Sequence, residues 1–134
     1  MTDAEIKSVL EKAHTIAVVG FSTNPQRPGH YVPQYMMRKG YHVIPVNPLI
    51  KEVLGQPAYP DLLAVPEKVD MVLIFRPPAE VPAIVEQAIK IGAQVVWMQI
   101  GATNRDAASI AQAAGLLVVM DKCTMIEHKR LIGA

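Results

Sequence analysis

The chain has a single cysteine, Cys123, and one thiol can build neither an internal disulfide framework nor a cysteine-based zinc site. It carries almost no net charge, +1 at pH 7, so nothing pulls it toward nucleic acid or an anionic membrane surface. No stretch approaches the roughly 18 unbroken apolar residues of a membrane span. The first residues, Met1-Thr2-Asp3-Ala4-Glu5, bring acids early and no apolar secretion core, so a cytoplasmic location is expected. The four histidines, His14, His30, His42 and His128, lack metal-ligand spacing, and only His30 lies next to a loop of interest. Paired carboxylates, a G-x-S-x-G elbow and a Cys–His pair close in sequence are also missing. Asp121 is a possible acid or base with nothing to pair to, and the expectation is binding without catalysis.

What is there is a chain of 134 residues, 51% hydrophobic, long enough for one domain over residues 1–134 with a real core. Its organising stretch runs from Thr15 through Ile16-Ala17-Val18-Val19 into Gly20, then into Phe21-Ser22-Thr23-Asn24-Pro25-Gln26-Arg27-Pro28-Gly29. An apolar run that stops at a glycine and opens into a polar loop is how many nucleotide-binding α/β proteins begin. The loop reads as an anion cradle.

The rest alternates. Thr2 to Lys12 reads as a helix with a Thr2/Glu5 capping box and one apolar face, Ile6, Val9, Leu10 and Ala13. Tyr31 to Lys39 reads as a second helix with Pro33 in its first turn. Three helix ends then run through a glycine into an apolar strand: Gly40 into 41–46, Gly92 into 93–98 and Gly115 into 116–120. Residues 70–75 form another apolar strand. Helices are expected over 79–91, over 103–114 with a Thr103/Asp106 box, and over 124–131 with a Thr124/Glu127 box. Residues 49–66 look irregular, with one short strand near Val53–Leu54. The fold class is therefore α/β: a three-layer, Rossmann-like arrangement with a mostly parallel sheet of five to six strands and helices on both faces.

In such sheets ligands bind beyond the carboxyl ends of the strands. Those ends carry glycines, hydroxyls, amides and the cations Arg27, Lys51 and Arg76, a mix suited to a phosphate-bearing ligand. NAD is disfavoured, because Gly20 and Gly29 do not make G-x-G-x-x-G and the second strand ends at Asn47 without a carboxylate. NADP is less so, since Lys51 could meet a 2′-phosphate. A Walker loop is excluded because no G-K-[ST] follows a glycine.

Val18-Val19-Gly20-Phe21-Ser22, Val46-Asn47-Pro48, Phe75-Arg76-Pro77-Pro78, Val96-Trp97-Met98-Gln99-Ile100-Gly101 and Val119-Met120-Asp121-Lys122-Cys123 together resemble the small stand-alone CoA-binding proteins. These are similar to the N-terminal CoA-binding domain of the succinyl-CoA synthetase alpha subunit. The resemblance implies coenzyme A as ligand. It places Gly20, Phe21, Ser22 and Arg27 at the phosphates, Val46, Asn47 and Pro48 beside the adenosine, and Lys51 near its 3′-phosphate. Arg76 and Pro77 would line the middle, and Gln99, Ile100 and Gly101 would meet the pantetheine arm. The synthetase's second domain, with its phosphorylated histidine, has no counterpart in these 134 residues, so ligase activity is not implied. The alternatives are an NADP-dependent oxidoreductase or a nucleotide-sensing regulatory domain. The expected partner is a small molecule, CoA or acyl-CoA, bound by a monomer or weak homodimer with room for a protein partner. Cys123, beside Lys122, is a small residue before a helix that could alternatively meet the CoA thiol. Trp97 reads as core.

Overall fold

A computed structural model describes residues 1–133. Five parallel strands, β1 (Thr15–Val19), β2 (His42–Val46), β5 (Met71–Ile74), β6 (Val95–Met98) and β7 (Leu117–Met120), form one sheet in the order β2-β1-β5-β6-β7. Between β2 and β5, β3 (Glu52–Val53) and β4 (Gln56–Pro57) pair as a small antiparallel hairpin. The helices are α1 (Asp3–Lys12), α2 (Pro28–Arg38), α3 (Val81–Lys90), α4 (Arg105–Ala113) and α5 (Thr124–Leu131). The Rossmann-like class is as the strand–helix alternation implies.

The strands are apolar on both faces because helices cover both, and the side-chain period of two sorts them. Ile16, Val18, Met71, Leu73, Val95 and Trp97 pack with Ile6, Val9 and Leu10 of α1 and Met36 of α2. Ala17, Val72, Ile74, Val96 and Met98 face the other way, onto Val81, Val85 and Ala88 of α3 and Ala107, Ala108 and Ala111 of α4. Trp97 is a fully buried core residue whose indole N–H donates to the Lys122 carbonyl at 2.8 Å. Arg130 of α5 ties that helix to α1, reaching both carboxylate oxygens of Asp3 at 2.8 Å.

Local signals hold unevenly. The Thr2/Glu5 capping box forms in both directions, at 3.0 and 3.2 Å. The other two do not. Asn104, not Thr103, caps α4, its Oδ1 accepting from the Ala107 amide at 2.9 Å. Thr124 is the first residue of α5, and its hydroxyl turns inward to Gln99. The second helix begins at Pro28, three residues before Tyr31. Proline at the first helical position loses no hydrogen bond and has its φ preset. Pro33 is consequently interior. Its missing N–H leaves the Gly29 carbonyl free, and the Ser22 amide takes it at 3.0 Å. The irregular segment holds the β3–β4 hairpin, turned by Leu54 and Gly55 at φ 49° and 77°, and a 3-10 turn over Leu62–Ala64. Among the described residues no helix is long and apolar enough to cross a membrane.

Candidate functional site

The chain leaves β1 for β2 on one side and returns to β5 on the other, so strand order reverses beside β1. At the carboxyl ends of these strands lies a two-lobed groove. The larger lobe, about 680 Å³, is lined by Ser22, Thr23, Arg27, Pro28 and Gly29 on one side and Phe75, Pro77, Pro78, Ile100, Gly101 and Ala102 on the other. The smaller, about 460 Å³, lies between Val46, Asn47 and Pro48 and the face of α3 that carries Ala83, Ile84 and Gln87. Gly20, Asn47, Leu49 and Arg76 border both. Each lobe falls within the usual range of small-molecule sites, roughly 300–1,000 Å³.

The loop from Gly20 to Gly29 is braced by its own polar groups. Ser22 Oγ accepts from the Asn24 amide at 3.1 Å, and Asn24 Oδ1 accepts from the Gln26 amide at 3.0 Å. His30 Nδ1 lies 2.7 Å from the Ser22 carbonyl oxygen. Asn47 staples the next loop to this one: its Nδ2 donates to the Phe21 carbonyl and its Oδ1 accepts from the Leu49 amide, both at 2.9 Å. Gly20 has φ +89°, and a Cβ built there would stand 2.5 Å from the Phe75 carbonyl oxygen. The glycine is thus required by backbone strain and by the close approach of the loop after β5. A valine there damages the protein's own packing before it can meet a pyrophosphate, so it is not a clean probe of binding.

Most of the sequence-derived site residues converge. Gly20, Ser22, Arg27, Val46, Asn47, Pro48, Arg76, Pro77, Ile100 and Gly101 all line the groove. The amides of Phe21 and Thr23 donate to no protein acceptor among the described residues. Arg27 is exposed and pairs with no carboxylate among them. Arg76 is paired with Glu80.

Three of the expected contacts are placed differently from the rest. The Phe21 side chain is wholly buried and meets the His30 ring edge-on at 5.9 Å, so this residue can offer the groove only backbone. Gln99 is 4% exposed and lines neither lobe; its Oε1 accepts from the amide and hydroxyl of Thr124, at 2.8 and 3.1 Å. That oxygen's hydrogen bonds are made within the protein. Lys51, exposed at the foot of the β3–β4 hairpin, borders neither lobe, whereas its neighbour Ile50 does. Cys123 is buried just before α5, and Lys122 stands 3.6 Å from Glu127.

The α3 face was missed. Glu80, Ile84 and Gln87 lie at i, i+4 and i+7 and form one wall. That stripe was legible in principle, but it is offset from the buried one, Val81, Val85 and Ala88, and reads as ordinary solvent exposure.

The family model described as a CoA binding domain matches residues 14–129. The uncharacterized protein YneT of Bacillus subtilis is 38% identical over 125 residues, 93% of each chain. A hypothetical protein of Pyrococcus horikoshii OT3 with a solved structure superposes at a TM-score of 0.97 with 44% identity, over 99% of this chain and 94% of that one. The ADP-forming acetate–CoA ligase I of Archaeoglobus fulgidus is 28% identical over 118 residues, 81% of this chain but 17% of the ligase.

Proposed function

Because this chain belongs to the CoA binding domain family, we propose that it binds coenzyme A, or an acyl-CoA, in the groove at the carboxyl ends of β1, β2, β5 and β6. The observation that carries the reading is the convergence at one strand-order reversal of unpartnered loop amides, the free Arg27 guanidinium and Arg76. Amides and cations at the mouth of an α/β sheet are what a diphosphate needs. The larger lobe, rich in donors, suits the phosphates; the smaller, with Val19, Val46, Pro48, Leu62 and Ile84 on its walls, suits the base. Exposed Ile100 leaves an apolar rim for the pantetheine arm. In this reading residues 1–134 act as one domain in the cytoplasm, and the protein binds without transforming its ligand. Asn47 weighs against a dinucleotide with a free ribose, since both ends of its amide are spent on the protein's own backbone.

Melting titrations with CoA, acetyl-CoA, NADP and NAD test this. A ligand at 100 times its Kd adds about 2.7 kcal/mol, which raises the midpoint of a chain this size by roughly 10 °C. CoA is expected to give that shift. Arg27→Ala is expected to weaken CoA about 10- to 100-fold, the loss of one charge-assisted hydrogen bond to phosphate, with an unchanged melt in the absence of ligand. A shift with NADP and none with CoA overturns the reading.

A further inference from the structure

Two carboxylates border the groove that an anion site does not call for, Glu80 and Asp61. Glu80, at the end of the 3-10 turn Pro78–Glu80 that leads into α3, lines the smaller lobe and holds the Arg76 guanidinium. The Nη2–Oε2 distance is 2.6 Å and the Nε–Oε1 distance 3.3 Å. The other carboxylate bordering the groove, Asp61, is occupied in capping the Leu62–Ala64 turn, accepting from the Ala64 amide at 2.9 Å. The Arg76 stem passes over Gly20, its Cδ 2.9 Å from where a Cβ on that glycine would stand. The residue sits on the boundary of the two lobes.

Resting on the CoA reading above, we infer that Glu80 is an affinity-tuning residue of the site: it occupies Arg76 in the free protein and gives it up to a ligand phosphate. The two side chains are 43% and 48% exposed, so their pairing is weak and readily exchanged. A phosphate carries more charge and more acceptor oxygens than a carboxylate, and it takes the same planar fork. While Glu80 is in place the pair has no net charge, and Arg27 is the cation that an approaching ligand meets first. A ligand without phosphate does not recruit Arg76 and meets no competition there, whereas a phosphate ligand must displace the carboxylate and gives up part of its affinity in doing so. Glu80 thus tempers phosphate affinity as an internal competitor.

The test is calorimetry of CoA with the wild-type chain, Glu80→Gln and Arg76→Ala, together with the Arg76 Nε–H NMR signal during a CoA titration. Glu80→Gln is expected to bind CoA about 3- to 10-fold more tightly, because it removes both the competitor and a like charge. Arg76→Ala is expected to bind about tenfold more weakly, one charge-assisted hydrogen bond being lost. The Arg76 signal should shift on CoA binding to the wild type as the guanidinium changes partner. Repeating the comparison with 3′-dephospho-CoA identifies the phosphate: a retained gain points to the diphosphate, a lost one to the 3′-phosphate. Equal or weaker binding by Glu80→Gln, or an Arg76 signal unmoved at saturation, overturns the inference and leaves the CoA reading standing. Failure of the wild-type chain to bind CoA overturns both.

Discussion

Gln99→Met removes an acceptor and leaves the shape nearly intact, so it isolates what the buried amide does. In the native protein Oε1 receives the Thr124 amide at 2.8 Å and the Thr124 hydroxyl at 3.1 Å, and Thr124 is fully buried. The amide is the first of α5, where a helix has no internal acceptor to offer. Methionine strands both donors where water does not reach. Each stranded donor costs about 1–3 kcal/mol, and a total near 2–4 kcal/mol is expected because the hydroxyl can rotate to a poorer partner. With an unfolding entropy of about 2.1 cal/mol/K per residue, 1 kcal/mol moves the midpoint of this chain by roughly 3.6 °C, so the melt should fall by roughly 7–14 °C. Thermal and urea unfolding of Gln99→Met, Thr124→Val and the pair measure it. Thr124→Val alone should cost about 1 kcal/mol. In the Gln99→Met background the same change should be neutral or stabilising, since the hydroxyl is already without its acceptor. A Gln99→Met melt within about 2 °C of wild type, with CoA affinity reduced instead, refutes the structural assignment and returns Gln99 to the ligand.

Other expectations follow from single contacts. Asn104→Ala loses the α4 cap and the bond from its Nδ2 to the Pro78 carbonyl at 2.9 Å, and should cost about 1–2 kcal/mol. Thr103→Val should cost nothing or stabilise, because the buried Thr103 hydroxyl has no partner among the described residues; differential melts of the two variants check both. Leu54→Asn should stabilise by about 1 kcal/mol, since Leu54 holds φ 49° in a two-residue turn where asparagine is at ease. An unchanged melting point would mean that the turn stores no strain. Stability should also fall as pH is lowered, in two stages. Burial, then Lys39, holds His128 below its ordinary 6.5, so the unfolded chain binds the proton first and stability is lost as pH drops below that value. A hydrogen bond from Arg130, chiefly, holds Glu127 below its ordinary 4.5, and a separate one from Arg130 holds Asp3 below its own ordinary value. Their contribution is present above the carboxylate range and disappears as pH falls through it. Glu127→Gln should flatten only the lower limb of a stability-against-pH curve, and His128→Gln only the upper.

The strands, their parallel arrangement and the loop after β1 could be read directly from the chain, because they depend on local properties. Unbroken apolar runs such as Ile16–Val19 want cover on both faces, and the glycines after α2, α3 and α4 meet a positive φ whatever lies around them. Pro28 was equally local, and its helix start was missed only because Pro33 offered a rival reading. The roles of polar residues at the strand ends were not local. Gln99 and Ile100 are neighbours of similar reach, yet the first is sealed against Thr124, 25 residues on, and the second is 63% exposed at the groove. Which of the two turns inward depends on the start of α5 meeting the chain just after β6, a contact that no window of sequence contains. Glu80 meets Arg76 locally, four residues on, but the pair's place at the site is not local: the loop after β5 brings Arg76 over Gly20. Hydropathy and backbone preference act over a few residues and specify the sheet. The direction of a polar side chain is set by the partners that folding brings to it, and those come from the far side of the chain.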